Sequence, residues 1–264
     1  MPDTSTRTYF SDAGRHVYGL GAMAIGLVGL VWGDFADIWQ PIQAFGNVPH
    51  RKGLAYLVAI CLLAAGAALQ WGRTARVGAQ VVAALNFIFA VFWLPRVIGF
   101  PQIYGTWGGF FEALAPATAG VILSATLLPE ISTGASTIAQ AARYVFGICV
   151  VSFAIVHFIY IPQTAAMVPK WTPPGQTFWA VATGCFHLMA GLAILSGVIP
   201  VPACRLLTLM LIVFGALVWL PQPFAHIHDH TAWAGNAVNL ALVGTAWVFA
   251  DWFAKTQATA NKQS

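Results

Sequence analysis

Eight long apolar runs, separated by prolines and short polar loops, constrain this chain more than any other feature. A helix needs about 20 apolar residues to cross the hydrocarbon core of a bilayer, and about 17 suffice. The runs lie at 17–32, 53–71, 77–94, 108–128, 144–161, 178–199, 205–220 and 232–253. Charged residues make up only 8% of the chain, where soluble domains carry about a quarter. So few charges cannot clothe a water-facing surface, so most of the surface must face lipid. The pattern predicts an all-α polytopic membrane bundle of about eight transmembrane helices.

Pro95, Pro129, Pro162, Pro200 and Pro221 sit at or just past predicted helix ends, where a missing amide N–H costs least. Pro116 falls inside the fourth run and predicts a kink. The polar residues 1–16 precede the first run without a small-residue cleavage site, so that run reads as an anchor and not a cleaved signal. Cys61, Cys149, Cys185 and Cys204 form no Cys-x-x-Cys pair and read as small buried hydrophobes.

Loop charge sets the expected orientation. Arg7, Arg15, Arg73, Arg76, Arg143, Arg205, Lys255 and Lys262 fall on one side, and Arg51, Lys52, Arg96 and Lys170 on the other. The excess places both termini in the cytoplasm. Trp39, Trp93, Trp107, Trp171, Trp219 and Trp233 then gather near the outer boundary, where an indole keeps its ring in the apolar layer and its N–H near water. The net charge of +4 and pI near 9.0 do not imply nucleic acid as a partner, because the twelve Lys and Arg form no basic stripe. The expected partner of this surface is the lipid bilayer.

The chain also repeats itself. Shifting 85–114 by 126 positions gives eight matches in thirty, including Trp93-Leu94-Pro95 with Trp219-Leu220-Pro221, Trp107 with Trp233 and Gly109 with Gly235. At a shift of 128, Arg15, Val17, Gly19 and Pro41 match Arg143, Val145, Gly147 and Pro169. The expected organisation is a cytoplasmic segment 1–16, a four-helix repeat 17–128, a cytoplasmic linker 129–142, a second four-helix repeat 143–253 and a tail 254–264. Each repeat has an even number of spans, so the two are parallel, with a pseudo-twofold axis along the membrane normal.

Polar residues at depth are costly and therefore informative. His157 and His187 lie in the fifth and sixth runs, roughly 7 and 13 Å from the outer end at about 1.5 Å per residue. A facing pair suits a quinone carbonyl or another polar ligand, or a haem or metal. It also suits plain hydrogen bonding inside the bundle. His226, His228 and His230 alternate in the loop before the eighth run, a pattern that suits a metal as well as a solvated loop. The aligned first-half positions are Phe100, Gln102 and Tyr104, so the repeat does not share it. Asp34, Asp37, Arg96 and Glu112 lie near the outer boundary, and either an Arg96–Glu112 pair or a proton-handling site would account for a carboxylate at depth. Asn86, Asn236 and Asn239 suit interhelical hydrogen bonds.

The second half resembles the DoxX-like family of bacterial integral membrane proteins. The residues that carry the resemblance are His157-Phe158, Ile161-Pro162-Gln163, the run from Val168-Pro169-Lys170-Trp171 through Pro174, Thr183-Gly184 with His187-Leu188-Met189-Ala190-Gly191-Leu192, Val218-Trp219-Leu220-Pro221 and Trp233. The first half, with Gly33-Asp34-Phe35, Trp39-Gln40-Pro41 and Trp93-Leu94-Pro95-Arg96, resembles a degenerate second copy. The resemblance implies a bacterial inner-membrane protein of four-helix units that serves a redox system, with quinone as the associated small molecule and redox membrane complexes as partners. On that reading His157 and His187, with Arg96 and Glu112, contact the ligand. A small-molecule or lipid carrier and a non-catalytic membrane scaffold are the other functional classes this sequence suits.

Overall fold

The computed structural model describes residues 12–128 and 133–263. Most of the predicted N-terminal segment and residues 129–132 of the predicted linker lie outside the described residues. Elsewhere the chain forms α1 (Ala13–Trp32), a 3-10 turn (Ile42–Phe45), α2 (Arg51–Ala68), α3 (Ala75–Gly99), α4 (Tyr104–Thr126), α5 (Thr133–Ile159), the short α6 (Ile161–Met167), α7 (Gln176–Ser196), α8 (Pro200–Phe214), a π turn (Gly215–Trp219), the short α9 (Pro221–Ala225) and α10 (His230–Gln263). With α8, the π turn and α9 taken as one continuous span, eight helices among the described residues are long and apolar enough to cross a membrane. The protein is a polytopic helical membrane bundle.

Three predicted boundaries move. Pro95 does not end its helix; α3 carries on to Gly99. A proline inside a helix removes one i→i−4 bond without necessarily stopping it. The predicted linker is helical from Thr133 onward, and the predicted tail belongs to α10 through Gln263. Polar ends that leave the apolar layer keep their helical hydrogen bonds in water, so hydropathy undercounts them. Of the cysteines, Cys149 and Cys204 are buried as expected, but Cys185 is exposed on the outer surface of the bundle.

The long helices close into a ring. Each packs on its neighbours in chain order, α1 on α2, α2 on α3, α3 on α4, α4 on α5, α5 on α7, α7 on α8 and α8 on α10, and α10 returns to α1. Across the middle α4 also touches α10. The most apolar stretch of α10 is 78% buried against 22% for the α8 span, so α10 is the most buried span and α8 a lipid-facing wall. Small residues allow this. A Cβ on Gly244 would collide with the backbone of Tyr18, so α10 and α1 meet backbone to backbone, the close approach by which membrane helices gain packing energy. Tyr18 is fully buried and donates its hydroxyl to the Pro116 carbonyl at 2.7 Å, tying α1 to α4.

Between α1 and α2 the chain folds back into the bundle. Phe35, Trp39 and Ile42 are buried. Arg51 fastens this loop with two bonds to the Asp34 carboxylate, 2.7 and 2.8 Å long, and a longer one of 3.4 Å to Asp37. The loop thus supplies walls for the sites described next.

Candidate ligand site

His157 and His187 come together. Their ring centroids are 4.8 Å apart, with the planes tilted by 41°. Each is held by its own helix: His157 Nδ1 meets the Phe153 carbonyl at 2.8 Å and His187 Nδ1 meets the Thr183 carbonyl at 2.9 Å. A carbonyl only accepts, so Nδ1 carries the proton in both rings. Nε2 of each neutral ring is then an acceptor, without a hydrogen bond from the described residues. The edge of Phe153 packs on His187, with centroids 5.9 Å apart. Gly184 gives His157 its room, since a Cβ there would lie 3.1 Å from the His157 Cβ.

Both histidines line a cavity of about 280 Å³ between α4, α5, α7, α8 and α10. Its walls are mainly apolar, from Val156, Met210, Phe214 and Leu242 among others, with Tyr160 closing one side. Tyr160 accepts the Gly105 N–H at 3.0 Å and Tyr104 donates to Ser152 at 3.1 Å. These bonds fix α4 against α5 and the wall between them. Trp93, Glu112 and Asn239 also face the cavity. Trp93 is buried, and its indole N–H has no hydrogen-bond partner among the described residues. Asn239 donates to the Leu211 carbonyl at 3.3 Å, which leaves its carbonyl oxygen as an acceptor.

The backbone is adapted here. The α8 helix widens into a π turn at Gly215–Trp219, where the Leu220 N–H bonds back to the Gly215 carbonyl at 2.8 Å. Such single widened turns are frequent at functional sites. The N–H that an α-helix would direct to the Trp219 carbonyl is absent, because residue 223 is proline. Asn236 fills that gap with a bond of 2.5 Å. In α4, Pro116 likewise leaves the Glu112 carbonyl without its usual helical donor. Trp93 lies against Gly109 and Trp219 against Gly235, and a Cβ on either glycine would strike the indole.

The other expected groupings do not form. Arg96 places its guanidinium 5.1 Å from the Trp93 ring centroid, a cation–π contact, and makes no ion pair with Glu112. Glu112 has no cationic partner among the described residues. It approaches the Trp39 indole, whose N–H stops short of an aligned hydrogen bond. The ring at position 93 satisfies the arginine that the sequence offered to the carboxylate. His226 and His228 are exposed in the loop, while His230 turns inward and stacks on Trp32, with centroids 5.1 Å apart and planes at 7°. Aromatic stacking thus separates His230 from the other two. Among the described residues no group of three His, Cys, Asp or Glu is arranged to hold a metal. Haem does not suit the His157–His187 pair either. Two rings flanking one iron, each with a bond of about 2 Å, would have centroids about 6 Å apart, and these stand at 4.8 Å.

Sequence reasoning missed Trp93, Tyr160 and Asn239 as cavity residues. The repeated Trp-Leu-Pro followed by glycine was the signal for the first, since the indole needs a bare backbone opposite it. Comparison with family models, with curated proteins and with solved structures finds no match for this chain.

Proposed function

We propose that this membrane protein binds a quinol-type ligand, an aromatic ring bearing hydroxyl groups and an apolar tail, as a DoxX-like component of a quinone-linked redox system in the bacterial inner membrane. The observation that carries the reading is the His157–His187 pair in an apolar cavity, with both Nδ1 atoms committed to carbonyls and both Nε2 atoms free to accept. Such a pair selects O–H donors. A quinone presents only acceptor carbonyls, whereas its reduced form presents two hydroxyls. The sequence pointed to recognition of a quinone carbonyl; the ring protons favour the reduced ligand instead. The unpartnered Trp93 N–H supplies one donor for an oxygen of the same ligand.

Two further parts of the reading have supports of their own. Moving four spans along the chain carries each neighbour contact of the ring onto another, and it carries the α4–α10 contact onto itself. That supports two parallel four-helix repeats. The loop charges support cytoplasmic termini, which puts the cavity in the outer half of the bilayer beside Trp93 and Trp219.

The test is binding of a short-tailed hydroquinone and of its oxidised quinone to the detergent-purified full chain. The hydroquinone should bind about 5- to 30-fold more tightly, from one or two hydrogen bonds of about 1 kcal/mol each. Replacing both His157 and His187 with alanine should lower that affinity by at least about tenfold. Unchanged binding in the double variant would sink the proposal.

A further inference from the structure

Glu112 faces two cavities. One is the His157–His187 cavity; the other is a smaller space of about 30 Å³ between α1, α4 and α10. Among the described residues, Glu112 alone lines both. The smaller cavity holds an unusual share of unsatisfied polar atoms. Trp39 is buried and lines it, with an unpartnered indole N–H. His230 lines it too, and its Nε2 is buried without a partner. Asn86 gives its N–H to the Val82 carbonyl at 2.9 Å, which leaves its oxygen free. Buried polar atoms find partners, and a cavity that holds one water needs two to four of them. This space has both the volume and the partners.

We propose that the small cavity holds one ordered water that joins Glu112 to His230, and that these groups carry protons between the ligand cavity and the surface where α10 begins. The relay balances without any oxidant. A proton taken up by the Glu112 carboxylate from the ligand side passes as its O–H to the water. The water gives a proton to His230 Nε2, and the imidazolium releases its Nδ1 proton to solvent. Asp34, Asp37 and Asp229 put negative charge near His230 at that mouth, and this charge draws the released proton outward. The ring is left with its proton on Nε2 and regains the starting arrangement by a half-turn about Cβ–Cγ, which restores its stack on Trp32. The ligand end of this path rests on the proposed quinol site, but the link from Glu112 to solvent does not.

Hydrogen–deuterium exchange at the Glu112 carboxyl, read by infrared spectroscopy on the ligand-free full chain, tests the link directly. The protonated-carboxyl band is assigned by its loss in Glu112→Gln. In the native chain it should exchange at least tenfold faster than in Trp39→Phe, which removes an unpartnered N–H from the cavity wall. It should likewise outpace Ala113→Val, which fills the cavity without touching a polar group. Exchange at the native rate in both variants, or no protonated band from Glu112 at any pH where the bundle is folded, overturns the proposal. Hydroquinone binding on the same samples reports separately on the ligand site, so the two readings fail independently.

Discussion

On the proposed repeat, the two cavities are built from corresponding positions and differ in what stands there. Phe153, Val156 and His157 line the large cavity, and the residues 128 positions earlier, Ile25, Val28 and Gly29, line the small one. Asn239 and Leu242 have Ala113 and Pro116 as counterparts 126 positions earlier, and Glu112 and Gly108 have Val238 and Ala234 at the same distance later. His187 answers to Leu62, 125 positions earlier, because Gly191 on α7 meets the backbone of Gly147 as Gly66 on α2 meets that of Gly19. The volumes are about 280 and 30 Å³. On the proposed repeat, one backbone plan thus gives an open site or a nearly filled one. Gly29 lets α1 close on Ala59, and Leu62 occupies the space that His187 leaves open. Function here is a matter of a few side chains on a shared scaffold.

The comparison is broken most severely by giving the first half the imidazole of the second. A Cβ at Gly29 would already sit 3.0 Å from the Ala59 Cβ, so Gly29→His must push α1 from α2. Overpacking of this kind costs about 1–3 kcal/mol and sometimes more. Thermal unfolding in detergent should show a loss at the top of that range. A variant as stable as the native chain would show that the two helices are not closed as described.

A middle-sized effect sharpens the contrast at the π turn. Pro223 and Asn236 occupy positions whose first-half counterparts are Val97 and Phe110. The first half keeps the backbone N–H inside α3, and the second replaces it with the Asn236 amide. Asn236→Phe alone should destabilise by about 1–3 kcal/mol, since it strands the Trp219 carbonyl. Adding Pro223→Val should restore most of that. Thermal midpoints of the four members of this double-mutant cycle measure the coupling. Additive losses would mean that the carbonyl is satisfied by another group.

Much of this was legible in the sequence. Eight spans followed from apolar length alone, because lipid allows few alternatives to a helix. His157 and His187 were visible as a pair, since both are polar residues in the outer half of consecutive spans. The partners of Glu112 and Arg96 were not, because a charge that could pair with a carboxylate stacked on Trp93 instead, and sequence gives no measure of that competition. His230 escaped for the same reason. Its neighbours His226 and His228 suggested a loop motif, while Trp32, remote in sequence, decided where the ring went. Side-chain pairings across the bundle depend on which helix faces which, and that is a property of the closed ring.

The smallest expected effect lies at the far end of the bundle. Arg15 sits 3.6 Å from Asp12, and the corresponding Arg143 donates to Gln140 at 3.2 Å. Asp12 also accepts from Lys255 at 3.0 Å. Burial alone would raise the Asp12 carboxyl, but the Lys255 hydrogen bond, with the charges of Lys255, Arg15 and His16, outweighs it and holds the group below its ordinary 3.8. A carboxyl lowered on folding adds stability above its unfolded value, and that stability is lost as pH falls through the folded one. Asp12→Gln, which copies the second half, should therefore change stability at pH 7 by no more than about 0.5 kcal/mol, because the carboxylate is half exposed and screened. The difference from the native chain should vanish as the pH drops below 3.8. Unfolding midpoints of both chains across the acid range check this. A gap that widens on acidification would mean that Asp12 is protonated more readily in the folded bundle, and that its burial outweighs its cationic neighbours.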